Sequence, residues 1–152
     1  MKNLVVSFQK ARDDLLKLLD KFPAGKRETI LLDKWSLKNL LSHLTGWAKY
    51  QTTSLREFKK SGEIKFQKNL KKSINDDFVA LRKDWNWNKV YNEFLKASES
   101  LIKEYKTLSG RQWKQSISKN KEETPADFIK IEINHYNKTH GPQINKALKS
   151  LI

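Results

Sequence analysis

Three histidines, His43, His135 and His140, are the side chains whose ordinary pKa lies closest to neutrality, so they are the first candidates for proton transfer or metal ligation. The sequence has no cysteine, which removes disulfides, zinc ribbons, thiolate nucleophiles and iron–sulfur clusters together. Any metal would be held by nitrogen and oxygen alone. Spacing restricts such a site, because on a regular α-helix His135 and His140 stand about 140° apart and one ion reaches both only if a kink rotates them together. Tyr136 and His140, four apart, share a face, as do Glu132 and His135, three apart. Glu132-x-x-His135 is half of a di-iron bundle signature, and the chain carries no second copy. Two other roles stay open for these groups. One is a metal-free polar pocket that positions water and moves protons; the other is structural, with His43 bonded to a neighbour and His140 capping carbonyls freed by Pro142.

The elements that must position these groups read as helices. Gly and Pro are scarce, five and three in 152 residues, and apolar residues recur at three- and four-residue spacing in four stretches. A chain of this length fits a single domain, residues 1–152, and the pattern predicts an all-α four-helix bundle. The first stretch starts after Asn3 as N-cap, presents Val6, Phe8, Leu15, Leu16, Leu18 and Leu19, and stops at Phe22-Pro23-Ala24-Gly25. The second starts at Ser36 and carries Leu37, Leu40, Leu41, Leu44, Trp47, Ala48, Leu55 and Phe58 on one stripe, ending near Ser61-Gly62. Residues 63 to 86 form a long connection with one short helix from Asn75 to Arg82. The third runs from Val90 through Tyr91, Phe94, Leu95, Ser98, Leu101 and Ile102 to Tyr105, closed by Ser109-Gly110. Thr124, Pro125 and Asp127 open the fourth as N-cap, first helical residue and partner of the helix dipole. Pro142, beside Gly141, predicts a kink or break at 140–142.

Charge narrows the partners. Thirty-one Lys and Arg against seventeen acids give a net charge of +14, enough for non-specific attraction to nucleic acid. Twenty-six of the basic residues are Lys and five are Arg, whereas phosphate and base-edge recognition favours guanidinium. A solvated Lys surface is the simpler account, and its densest run is Lys65, Lys68, Lys71 and Lys72. Nucleic acid is therefore the lesser alternative to a small-molecule ligand, and a second copy of the chain is the protein partner left open. No apolar run approaches the roughly 20 residues of a membrane span, and the N-terminus shows no signal-peptide pattern, which predicts no membrane partner and a cytoplasmic location. There is no Gly-rich phosphate loop and no nucleophile elbow, which counts against nucleotide-dependent chemistry.

The segment Trp35-Ser36-Leu37-Lys38-Asn39-Leu40-Leu41-Ser42-His43-Leu44-Thr45-Gly46-Trp47 resembles the second helix of DinB-like four-helix bundles, where a Trp-Ser start precedes an inward histidine. Ser36, Asn39-Leu40, Ser42, Leu44 and Gly46-Trp47 are closer still to the ClbS/DfsB branch of that superfamily. The order that follows also resembles it: Trp85-Asn86-Trp87 in the connection, Trp113 in a loop, and Ile133-Asn134-His135-Tyr136-Asn137-Lys138 in the last helix. The resemblance implies a bundle with a cleft at one end. In the superfamily at large it also implies three metal-binding histidines, of which His43 matches the first and His140, three before Gln143, the last. Tyr136 occupies the middle place and His135 lies one step off, so the resemblance implies the branch that often lacks the full triad; zinc or nickel on His43 and His140 is the metal alternative.

That branch implies protection against a reactive small molecule, by binding it and by adding water to an electrophilic carbon. Catalytic candidates are His43, Glu132, Tyr136 and His140, with Trp35, Trp47, Trp85, Trp87 and His135 against the ligand. Core packing is the plainer account of Trp47, whereas Trp85 and Trp87 fall in a connection, where aromatics more often line ligand sites. The competing enzyme reading, taken from other DinB-like proteins, is metal-dependent transfer to a thiol cofactor.

Overall fold

Helix α1 spans Lys2–Lys21 and buries Val5, Phe8, Ala11, Leu15 and Leu19, a stripe that keeps the three- and four-residue spacing throughout. Val6, expected inside, is 57% exposed because the stripe runs through Val5, and the helix starts at Met1 with no cap from Asn3. The helix ends at Phe22 in extended backbone, as the residue before Pro23 requires. The computed structural model describes residues 1–64 and 73–151 of the chain, so the lysine run at 65–72 lies outside the described residues.

A helical turn at Ala24–Lys26 leads into an antiparallel hairpin of β1 (Ile30–Leu32) and β2 (Trp35–Ser36), turned at Asp33 with φ 60°. The fold is mostly helical, as expected, and this small hairpin, the one sheet among the described residues, is the departure from it, since two such short strands leave no measurable alternation in sequence. The hairpin delivers Ser36 to the start of α2 (Leu37–Ser61), where Ser36 Oγ accepts from the Asn39 amide at 3.1 Å and Asn39 Oδ1 accepts from the Ser36 amide at 2.9 Å. Ser42, Thr45 and Thr52 lie on the buried face of α2 without loss, because each hydroxyl donates to the carbonyl four residues back. Gly62, at φ 76°, closes the helix in the left-handed conformation that glycine adopts without strain.

Helix α3 (Ile74–Leu81) crosses α2 and buries none of its residues fully; Phe78 seats it against Gly46, where a Cβ would come within 2.2 Å of the ring. Helix α4 (Trp87–Lys106), capped by Asn86, lies along α2 and presents Val90, Phe94, Ala97, Ser98, Leu101, Ile102 and Tyr105 to the core. Trp87 is thus helical and not part of the connection. Ser109 opens α5 (Gly110–Lys114) with Gln112 in a second capping box, where the sequence suggested only a stop. Trp113 is correspondingly in a helix and not in a loop, buried and stacked on Tyr105 at 5.7 Å and 18°.

Thr124, Pro125 and Asp127 start α6 (Pro125–Asn134) as expected, and α1 packs on α6 and α7 (Gly141–Ser150). The predicted kink at 140–142 is replaced by a π-helical turn over His135–His140, through which the helix continues. Proline cannot donate to the carbonyl four residues back and its ring collides with it, and a wider turn just before Gly141-Pro142 relieves that collision while keeping the chain helical. No helix among the described residues is long and apolar enough to cross a membrane.

Candidate functional site

The π turn changes which side chains share a face. Its ladder runs from residue i to i+5, seen in the Gly141 amide donating to the Tyr136 carbonyl, so residues five apart come into line. The regular-helix estimate that separates His135 from His140 is therefore corrected: their rings lie 6.0 Å apart. His43 approaches from α2, its ring 5.5 Å from that of His140 and nearly perpendicular to it at 71°. Around the three imidazoles lies a cavity of about 450 Å³. Helix α2 supplies His43, Leu44, Trp47 and Gln51, α3 supplies Asn75, and α6 with the π turn supplies Ile131, Glu132, His135, Tyr136, Thr139 and His140.

Burial controls the chemistry of these groups. Loss of solvent, helped by the neighbouring His140 and His135, pushes the His43 pKa down to about 4, so its ring is neutral near pH 7. Its Nδ1 is buried with no hydrogen-bond partner, and the Trp35 ring tilts against it at 4.8 Å. His140 is lowered by burial as well, and its Nδ1 lies 2.9 Å from Gln143 Oε1. An amide oxygen only accepts, so Nδ1 carries the hydrogen and Nε2 keeps a lone pair for a proton or a ligand. Glu132 is 7% exposed, accepts from Gln51 Nε2 at 2.7 Å, and is pushed up to about 7 by burial. The Tyr136 phenol is held protonated by burial and by Glu132. Tyr105, fully buried behind them, has a hydroxyl with no partner and is shifted upward by burial, Glu132 and Tyr136.

Of the sequence candidates, His43, Trp47, Glu132, His135, Tyr136 and His140 line the cavity. Trp47 is half-buried, and its indole donates to Asn75 Oδ1 at 2.7 Å, which is more than core packing. Trp35 backs His43 from outside the cavity. Trp85 and Trp87 do not line it: Trp85 carries the cations of Arg82 and Lys89 on its ring, and Trp87 carries Arg27. Gln51 and Asn75 were not legible as site residues. Gln51 continues the four-residue rhythm of His43 and Trp47, a signal that was present, whereas Asn75 reaches the cavity from the far side of the connection.

A divalent metal such as zinc or nickel needs three or more protein donors turned to one point. Among the described residues no group of three or more His, Cys, Asp or Glu side chains is arranged to hold an ion. The donor set does not fit such an ion. No protein-family model, no curated protein and no solved structure matches the chain.

Proposed function

We propose that this protein is a DinB-like bundle of the ClbS/DfsB type that binds a small electrophilic molecule in the cavity between α2 and the last helix and adds water to it. The observation that carries this proposal is the meeting of neutral His43 and His140 beside Tyr136 in a cavity walled by Leu44, Trp47 and Ile131. A volume of about 450 Å³ suits a small organic molecule, and apolar walls with few polar groups are what such sites present. The long connection that holds α3 between α2 and α4, and the inward His43, support the bundle type.

Water bound to a neutral imidazole loses a proton to the ring as its oxygen bonds to the electrophilic carbon. The bond from that carbon to the leaving atom breaks with its electron pair, and the Tyr136 hydroxyl donates a hydrogen bond to the charge that develops there. The imidazolium then returns its proton to the leaving atom, so water is consumed and both rings end neutral. The test is incubation of the protein with epoxides and activated esters in ¹⁸O-water, followed by mass spectrometry of the products. Label incorporation above the buffer rate, lowered by about 100-fold or more in His140→Ala, is expected for loss of a general base. No acceleration by the wild-type protein, or an unchanged rate in His140→Ala, would contradict it.

A further inference from the structure

We infer that the cavity recognises a small organic cation, a protonated amine or amidine, by pairing it with the Glu132 carboxylate and laying it against the Trp47 ring. The inference rests on the cavity being a ligand site, as proposed above, and adds the class of molecule that it takes. Among the described residues no Lys or Arg lines the cavity, although the chain carries 31 of them. Its one carboxyl, Glu132, is buried in a protein of net charge +14, and among the described residues no cation pairs with it. Two half-buried acids on α4 show the contrast. Glu93 is held by Arg82 and Lys49, and Glu104 by Arg56 and Lys59.

The side chains known to act on Glu132 or to share its cavity supply no cation. Gln51 of α2 offers a neutral amide at 2.7 Å, Tyr105 of α4 offers a phenol, and the π turn offers Tyr136 and His135. The nearest guanidinium on α1 is Arg12, which acts on Tyr136 but is engaged by Glu99 at 2.7 Å and Asp13 at 3.2 Å. A buried carboxylate needs either a proton or a cation, and an arriving ammonium meets an oxygen acceptor in a cavity that an indole also lines. The imidazoles do not oppose the choice, since His43 is neutral near pH 7 and adds no positive charge to the cavity. Repulsion from the lysine surface does not oppose it at short range, because salt screens exposed charges beyond about 8 Å under physiological conditions.

The probes are benzylammonium, benzyl alcohol and benzoate, which share a ring and differ in charge. Binding is followed by the Trp47 indole resonance in ¹H–¹⁵N spectra, assigned with Trp47→Phe, in wild type and in Glu132→Gln, whose amide keeps a hydrogen-bonding partner in Gln51. Benzylammonium is expected to bind at least about ten-fold more tightly than benzyl alcohol in wild type, and the preference is expected to vanish in Glu132→Gln. Equal or tighter binding of benzyl alcohol or benzoate, with Trp47 moving, would overturn the cation inference and leave the cavity a ligand site. A cation preference that survives in Glu132→Gln would overturn it too. No movement of Trp47 with any probe would overturn both the inference and the ligand site beneath it.

Discussion

The amide of Gly141 donates to the carbonyl of Tyr136, five residues earlier, and a Cβ on Gly141 would sit 2.9 Å from that same oxygen. The turn that aligns His135 with His140 thus requires glycine for space, since the backbone there, at φ −56°, is open to any residue. Gly141→Ala is expected to cost about 1–3 kcal/mol as an overpacked contact, while Gly110→Ala, whose Cβ meets nothing, should stay within about 0.5 kcal/mol of wild type. Urea melts of both variants check this. Equal stability of Gly141→Ala and wild type would show that the turn has room to spare.

Gly46 bears the same relation to α3. An alanine Cβ would enter the Phe78 ring at 2.2 Å, and Phe78 is what seats a helix that buries none of its residues fully. Gly46→Ala is therefore expected to release α3, speeding its amide exchange by about ten-fold or more, and to break the bond from Trp47 to Asn75. The double variant Gly46→Ala/Phe78→Ala should recover the fold around α2 without redocking α3. Unchanged exchange across Ile74–Leu81 in the single variant would contradict the account.

Stability should depend on pH through Glu132 and His43 with opposite signs. Glu132 holds its proton up to about 7 in the fold against an ordinary 4.5, so its contribution is complete at low pH and is lost as pH rises through that interval. His43 is lowered to about 4 against 6.5, so its contribution is complete above about 6.5 and is lost as pH falls toward 4. In Glu132→Gln the first dependence disappears, and the variant should gain on wild type by on the order of 1–3 kcal/mol between about pH 5 and about pH 8. Denaturant melts across that range measure the difference, and a constant gap would mean that Glu132 binds its proton no more tightly in the fold than in the unfolded chain.

The helices were legible because each carries its own punctuation. Ser36 with Asn39 and Thr124 with Pro125 and Asp127 start their helices as the sequence indicates, and Pro23 stops the first. The hairpin at 30–36 was not legible, since three residues paired with two leave no periodicity to detect. The cavity was half legible. His43, Glu132, Tyr136 and His140 announce themselves by type, but placing His135 beside His140 needs the π turn, whose cause, Pro142, was visible and whose form was not. Loop aromatics misled at Trp85 and Trp87, whose rings stack under Arg and Lys away from the cavity.

The meeting of His43 and His140 in one desolvated space is what every functional statement depends on, and an NMR titration of their ring resonances tests it most directly. His43 should remain neutral down to about pH 4, and its pKa should rise in His140→Ala, where one repelling neighbour is gone and water gains entry. Independent titration of His43 and His140 near the ordinary value of about 6.5, with His43 indifferent to His140→Ala, would contradict it.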